Sequence, residues 1–373
     1  MKYDLAIVHD YLTDIGGAEM TLFQISKNWP KAPIYTLLKN ENFNPGSLKG
    51  PVYESFLRQF PGFIKKNKKF CLPFFAVSAE TIDLRAYDIV ISSSGAFSKA
   101  VITKTDCLNI CYCHSPMRFV WDYSHQYLEE LGYGKIRNIF LRFVFNYLRI
   151  WDAVSADRVD FFIANSKATQ AKIKKYYRRD SQVIYPPVEI PNKEKLNSFR
   201  QGDYFLIVSR LSKAKKIDIA VEAFNKLGWK LIIIGEGPEK KHLKRMALSN
   251  VKFLGFKKRK EVLRYYANCL AYIQPSNEDF GISAVEAMSF GKPVLAFKVA
   301  GALETVQQGV SGRFFEAQTG EVLAQGAYKL KKELKDFDPQ AIRKSVEKFS
   351  SSRFRQQIND FVNNQWIKLK QNV

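Results

Sequence analysis

A chain of 373 residues exceeds the ~250–300 residues at which single cores stop growing, so two domains are expected. With 46% hydrophobic and 25% charged residues, it is neither a disordered chain nor a collagen-like or low-complexity fibre. Its net charge of +22 favours an anionic partner: a nucleic acid, an acidic membrane surface or a phosphorylated substrate.

In chain order, DLAIVH (4–9) predicts a strand, TDIGGAE a tight loop and MTLFQISKNW a helix. Gly16 and Gly17 let that loop approach a ligand and aim N–H groups at an anion, or else simply close a turn. The G-x-G-x-x-G fingerprint is missing from TDIGGAEMT, which counts against a nicotinamide or flavin enzyme. No apolar run reaches the ~18–20 residues of a membrane span, and MKYDLAIVHDYL lacks a signal peptide's pattern, so a cytosolic chain is expected.

The segment FLRQFPGFIKKNKKFCLPFF (56–75) mixes Lys65, Lys66, Lys68 and Lys69 with phenylalanines. It reads as an interfacial patch, with aromatics at the headgroup boundary and lysines meeting anionic lipid at ~1 kcal/mol each. Further apolar runs at 87–94, 107–114, 161–166 and 181–188 alternate with helical stretches, implying a parallel sheet covered by helices. Among these stretches, residues 135–151 place Ile136, Ile139, Phe140, Phe143, Val144, Tyr147, Leu148 and Trp151 on one stripe, read as a core helix.

Five cysteines without a C-x-x-C pair make a disulfide framework improbable. Cys107, Cys111, Cys113 and His114 lie close enough to suggest zinc, but NICYCH alternates like a buried strand and no second cluster completes four ligands, so no metal is expected. His114 closes that strand just before Ser115-Pro116; it either donates to a substrate hydroxyl or serves the structure. Ser-His-Asp catalysis has no support, because no G-x-S-x-G elbow appears.

After Tyr185-Pro186-Pro187, the polar and aperiodic NKEKLNSFRQGD predicts a linker, ending a first domain near residue 195. A second alternating set follows, from YFLIVSR (204–210) through PVLAF (293–297). Arg210 ends its first strand, and Lys215 and Lys216 follow within a short loop. A guanidinium fork beside mobile ammonium groups suits a diphosphate, although solvated surface charge is the plain alternative.

SNEDFGISAVEAMSFGKPV (276–294) then runs from a strand end into a helix. Gly281 permits close backbone approach, and the free N–H groups around Ile282 and Ser283 would form an anion site. Glu278 could contact a sugar and Glu286 the hydroxyls of a ribose; the plain alternative is a helix with an acidic first turn and one outward glutamate. Asp336-Phe337-Asp338 spells D-x-D, but Asp338 before a proline reads as a helix cap.

The segments HDYLTDIGGAE, YCHSPMRFVWD, FFIANSKATQAKIKKYY, VIYPPVE, VSRLSKAKKIDIAVEAF, IIIGEGP, VKFLGF, PSNEDFGISAVEAMSFGKPV and AGALETVQQGVSGRFF occur in an order that resembles the retaining, nucleotide-sugar-dependent glycosyltransferases of family 4. Within them the chain looks most like bacterial mannosyltransferases of O-antigen and surface polysaccharide synthesis. The resemblance covers nearly the whole chain and implies the α/β GT-B fold, two Rossmann-like domains with parallel sheets facing each other across a cleft. Residues 1–195 would form the acceptor side, 196–350 the donor domain, and the helix in 351–373 would cross back to the first domain.

Carried onto matching positions, the resemblance implies that Arg210 and Lys215 clamp the donor diphosphate, with Lys216 exchangeable for Lys215 under a one-residue shift. Glu286 would hold the ribose, and the base would lie near Leu254, Gly255 and Phe256. Glu278 and the backbone of Asp279, Phe280, Gly281, Ile282 and Ser283 would hold the transferred sugar and distal phosphate. Gly17, with Gly16 beside it, would approach the donor phosphate, and His114 would contact a sugar hydroxyl near the reacting carbon. Two departures stand out: Asp279 replaces the usual glycine after Glu278, and Gly95 stands where relatives often carry histidine.

The implied reaction is front-face substitution with retention. No essential metal or further cofactor is expected, because Arg210 and Lys215 supply the cations. GDP-mannose is the expected donor, a lipid-linked or oligosaccharide acceptor the expected partner, and the inner face of the cell membrane the expected location. A UDP-linked donor and a catalytically silent scaffold are the alternatives; nucleic-acid binding is disfavoured by the absence of zinc-finger, KH or RRM motifs.

Overall fold

Strands buried on both faces are the mark of parallel sheets sandwiched by helices, and the long apolar runs of this chain form two such sheets. The computed structural model describes residues 3–41, 43, 46, 48–62, 68–132, 134–192 and 202–371. Residues 193–201 of the expected linker, Lys65 and Lys66, and the side chains of Lys68 and Lys69 lie outside what is described. The chain divides into two compact units, Met1–Pro187 with Ser352–Val373, and Val188–Ser351.

Unit 1 contains strands β1 (Leu5–Leu12), β2 (Ile34–Lys39), β3 (Val52–Glu54), β4 (Ile89–Ser94), β5 (Leu108–Cys113), β6 (Phe161–Ala164) and β7 (Ser181–Val183). They pair in parallel in the order β3-β2-β1-β4-β5-β6-β7. Helices α1 (Gly17–Asn28), α2 (Lys68–Glu80), α3 (Ser124–Leu131), α4 (Lys135–Ser155) and α5 (Lys167–Tyr177) belong to it. Unit 2 contains β8 (Phe205–Val208), β9 (Leu231–Ile234), β10 (Val251–Gly255), β11 (Ala271–Gln274), β12 (Val294–Phe297) and β13 (Gly312–Phe315), all parallel in the order β10-β9-β8-β11-β12-β13. Its helices include α6 (Ile217–Leu227), α7 (Lys240–Met246), α8 (Arg259–Asn268), α9 (Ile282–Ser289), α10 (Ala302–Thr305), α11 (Gly320–Lys332) and α12 (Pro339–Val346).

The final helix, α13 (Ser351–Gln371), buries Phe354, Ile358, Phe361, Val362 and Trp366 at helical spacing against Leu5, Ile7 and Tyr112 of unit 1. Each such side chain contributes about 1.5–3 kcal/mol. Gln24 of α1 accepts from Arg355 at 2.7 Å, and Asn28 donates to the Arg355 carbonyl at 2.8 Å, fixing the docking. The division between the units falls at Pro187/Val188, earlier than residue 195, because Val188 pairs in parallel with Ser350 and donates to the Phe349 carbonyl at 2.8 Å.

Helix α4 corrects one expectation. Val144, Leu148 and Trp151 do pack into the core beside Phe145, but Ile139, Phe140, Phe143 and Tyr147 point to solvent. The rotation is set by polar anchors that stripe counting ignores. Fully buried Asp152 pairs with Lys99, and Ser155 Oγ accepts from Lys99 Nζ at 3.1 Å, so the arc that includes 145, 148, 152 and 155 must face inward. Cys111 and Cys113 of β5 lie in the apolar core with Ile173 and Phe162. Asp338 caps α12, accepting from Gln340 N at 2.9 Å and Ala341 N at 3.1 Å, as its place before proline predicts.

Candidate functional site

In open parallel sheets, ligands collect beyond the carboxyl ends of strands where the strand order reverses. Unit 1 reverses between β1 and β4, and unit 2 between β8 and β11. Most of the sequence-predicted residues fall on the loops that leave these strands and their neighbours, with Gly17 in α1, Leu254 in β10 and Ile282, Ser283 and Glu286 in α9.

In unit 2, β8 leads into Arg210 and then a one-turn helix Lys213–Lys215. Lys215 Nζ donates to both Glu278 oxygens, at 2.7 and 2.8 Å, bridging the loops after β8 and β11. Ser276 Oγ donates to Glu278 Oε1 at 2.6 Å, so this carboxylate is held from two sides. Arg210 is exposed, and among the described residues its guanidinium has no ion-pair partner. Lys216 takes a left-handed φ of 49° at the start of α6 and is exposed. Lys215 and Glu278 are thus brought together.

Glycines let these loops touch backbone to backbone. A Cβ on Gly235 (φ 141°) would lie 1.9 Å from the Ser209 carbonyl oxygen, and one on Gly237 would lie 2.2 Å from that of Leu211. Leu211 N donates to Glu236 O at 2.9 Å and Gly235 N to Gly255 O at 2.9 Å, binding the ends of β8, β9 and β10 into one rim. Leu254 and Phe256 flank Gly255 on that rim, with Phe256 strongly exposed.

Gly281 takes φ 87° at the start of α9, where a Cβ would meet the Gln274 amide oxygen at 2.6 Å. Ile282 and Ser283 open the helix from there. Gly301 packs equally close on Phe280 Cα, at 2.4 Å for a Cβ, and donates to the Glu278 carbonyl at 3.0 Å. The Phe280 ring itself turns into the core against Phe349, and Asp279 is buried. Glu286 is buried within α9 and accepts from Arg259 at 2.6 Å.

In unit 1, Gly16 N donates to Glu19 Oε2 at 2.8 Å, and Gly17 is the first residue of α1. Glu19 Oε1 lies 3.7 Å from His9 Nε2; His9 Nδ1 lies 3.1 Å from Ser93 Oγ; and Ser93 Oγ lies 2.8 Å from His114 Nε2. Burial pushes the Glu19 carboxyl up, but the hydrogen bond and charge of His9, with the Gly16 N–H, bring it net below its ordinary range. Burial, then the neighbouring His9, hold the His114 imidazole down to about 4. His114 is therefore neutral near pH 7 and able to serve as a hydrogen-bonding group rather than a cation.

Beside this relay, Asp10 accepts from four successive backbone N–H groups, those of Gly95, Ala96, Phe97 and Ser98, at 2.6–2.9 Å. This carboxylate fixes the loop after β4. Gly95 needs no special conformation: a Cβ there would lie 3.7 Å from Asp10 Oδ2 and 3.9 Å from His114 Cβ, ordinary contacts. Immediately beyond, Lys99 is sealed against Asp152, whose other oxygen accepts from Trp121 Nε1 at 2.7 Å and Tyr177 OH at 2.8 Å.

Sequence reasoning missed His9, Asp10, Glu19, Ser93, Gln274 and Arg259. The detectable signal for the first two was HD inside an otherwise apolar strand, where buried polar groups need partners. Among the described residues, no group of three His, Cys, Asp or Glu side chains is arranged to hold a metal ion.

The family model described as Glycosyltransferase Family 4 matches residues 15–190, and that described as Glycosyl transferases group 1 matches residues 189–348. An uncharacterized glycosyltransferase of Methanocaldococcus jannaschii is 32% identical over 164 residues, covering 42% of this chain and 45% of that protein. The chain thus spans about half the length of that relative. The alpha-1,3/1,6-mannosyltransferase of Saccharomyces cerevisiae is 26% identical over 385 residues, covering 86% of this chain and 74% of that protein. Among solved structures, Anabaena HepE in complex with UDP and glucose superposes with a TM-score of 0.70 at 20% identity, covering 97% of this chain and 100% of that one. Sucrose-phosphate synthase of Thermosynechococcus elongatus gives 0.70 at 15% identity, covering 97% and 100%. With the two family models meeting at residues 189–190, just past Val188 where the second unit begins, and two parallel sheets that each match this architecture, the chain belongs to the family 4 glycosyltransferases of GT-B fold.

Proposed function

We propose that this glycosyltransferase is a retaining hexosyltransferase that moves mannose from GDP-mannose to a lipid-linked or oligosaccharide acceptor in surface polysaccharide synthesis, at the inner face of the cell membrane. The observation that carries the reading is the Lys215–Glu278 pair at the β8–β11 reversal, with the exposed Arg210 beside it in the chain. Two cations at this edge match a departing diphosphate, and a carboxylate held from two sides matches a sugar hydroxyl. The mannosyl donor is supported by the yeast mannosyltransferase, whose similarity runs over 86% of the chain.

In the proposed reaction, the bond from the anomeric carbon to the phosphate oxygen breaks as the acceptor oxygen bonds to the same face. The acceptor proton passes to an oxygen of the leaving diphosphate, so no protein base is required. Arg210 and Lys215 neutralise the growing phosphate charge without a metal ion, Glu278 orients the sugar, Glu286 holds the ribose, and neutral His114 hydrogen-bonds a sugar hydroxyl. A UDP-linked donor is the second reading, favoured by the solved relatives that hold UDP and UDP-glucose.

Calorimetric titration of GDP, UDP and ADP in EDTA separates these readings. One nucleotide should bind selectively, and Arg210→Ala should weaken it at least about tenfold, the loss expected of a charge-assisted contact. Selective UDP binding would replace the mannosyl reading with the second. Binding by none, or equal binding by the variant, would overturn the donor-site assignment and favour a silent scaffold.

A further inference from the structure

The outward face of α4 carries six large apolar side chains that the core does not use. Ile139, Phe140, Phe143, Tyr147, Ile150 and Val154 are each more than half exposed, Phe143 at 71% and Phe140 at 68%. Their spacing of mostly three and four residues puts them on one stripe. The opposite arc is already committed, through buried Phe145 and Leu148 and the Asp152–Lys99 pair, so the stripe cannot rotate inward. Helix α2, tied to α4 by Trp151 Nε1 donating to Glu80 Oε1 at 3.0 Å, has exposed Phe74 and Val77 of its own. Apolar surface on this scale, rimmed by polar groups, marks a contact with something else.

Charge identifies the occupant. Between Lys135 and Trp151 the helix contains no aspartate or glutamate, and Asp152 is consumed in the core. At 3.6 residues per turn, exposed Arg137 and Arg142 flank the stripe on opposite sides. Apolar side chains between two cations, on a chain of net charge +22, complement an anionic lipid surface. A second copy of this chain would instead bring like charges together. No described helix is long and apolar enough to cross a membrane, so α4 suits a position along the surface.

We propose that α4 docks unit 1 flat on an anionic bilayer, with Phe140, Phe143 and Tyr147 entering the headgroup boundary and Arg137 and Arg142 meeting lipid phosphates. This deepens the lipid-linked reading of the acceptor. It also adds, to the 56–75 segment expected from sequence, a helix that sequence assigned to the core.

The test is sedimentation with vesicles of phosphatidylglycerol and phosphatidylcholine in equal parts, against phosphatidylcholine alone, at low and high salt. The wild type should bind the anionic vesicles at low salt only. Phe140→Ser/Phe143→Ser should lose affinity by about tenfold or more per phenylalanine, and Arg142→Gln by about fivefold. These side chains are exposed, so the melting temperature should not move. A fluorophore on Phe143→Cys can be placed selectively, because all five native cysteines are buried, and it should shift to the blue with anionic vesicles.

Failure of the wild type to bind would overturn the proposal. So would equal binding by the double variant, or a wild-type dimer that the double variant abolishes without vesicle binding. Nucleotide titration of the double variant should match the wild type. A wild type that binds vesicles but no nucleotide would leave the docking face standing and remove the transferase reading.

Discussion

At the β1–β4 reversal of unit 1, the loops are ordered by buried side chains: one Asp10 carboxylate collects four backbone N–H groups, and Ser93 joins His9 to His114. At the β8–β11 reversal of unit 2, the Lys215–Glu278 pair is joined by close backbone contacts that the lack of side chains permits: Gly235, Gly237 and Gly301 let one backbone rest on another. Both solutions hold polar groups at a strand edge, but they fail differently. A carboxylate that gathers N–H groups concentrates the stability of a loop in one residue. Glycine contacts spread it over several close approaches, each limited by steric space.

The sharpest way to break this comparison is Asp10→Ala. Four N–H groups would lose a charged acceptor in a buried site, and each loss is worth ~1–3 kcal/mol. Unit 1 should therefore be destabilised by about 4 kcal/mol or more, read as a shift of its urea midpoint. Asp10→Asn, which keeps the shape and loses the charge, should fall between. A cost below about 1 kcal/mol would mean that the loop after β4 is ordered by something else.

Gly235→Ala tests the other half. Its Cβ would overlap the Ser209 carbonyl at 1.9 Å in a φ of 141° that L residues rarely adopt, so a loss of about 3 kcal/mol is expected. Gly95→Ala is its control in unit 1, because the nearest atom would be 3.7 Å away, and it should change stability by no more than about 0.5 kcal/mol. Equal costs at the two positions would erase the distinction between a glycine required by packing and one that is not.

The same contrast explains what could be read from the sequence. Parallel strands, their order along the chain and the rims at Arg210–Lys216 and Glu278–Glu286 were legible, because apolar runs and glycine spacing leave one-dimensional traces. The Asp10 clamp left almost none: its partners lie 85 or more residues away and are backbone groups, which carry no residue identity. Arg259, meeting Glu286 from the next helix along the chain, was hidden among the cations of a chain with a net charge of +22. Helix α4 was misread for a related reason. Its apolar residues cover most of its circumference, so periodicity alone could not choose the inward arc, and the choice fell to Asp152 and a lysine on a distant loop.

The smallest effect belongs to His114, and it sharpens the comparison through charge. The imidazole is held down to about 4, by burial first and His9 second, while Asp10 and Glu19 pull the other way. In the unfolded chain it titrates near 6.5. A depressed histidine favours the neutral form in the fold, so its contribution is complete above about pH 6.5 and is lost as pH falls towards 4. Allowing for its partial exposure, the loss at about pH 5 should be 1–2 kcal/mol.

His114→Gln preserves a group able to hydrogen-bond Ser93 Oγ but removes the titration, so the stability gap between variant and wild type should change by this amount between about pH 7.5 and pH 5. Glu19 also loses stabilisation in acid, yet it is present in both proteins and cancels at first order. A constant gap would show that another group titrates. A changing gap would mean that the imidazole at the β1–β4 edge is uncharged at neutral pH, held so by its burial and by His9.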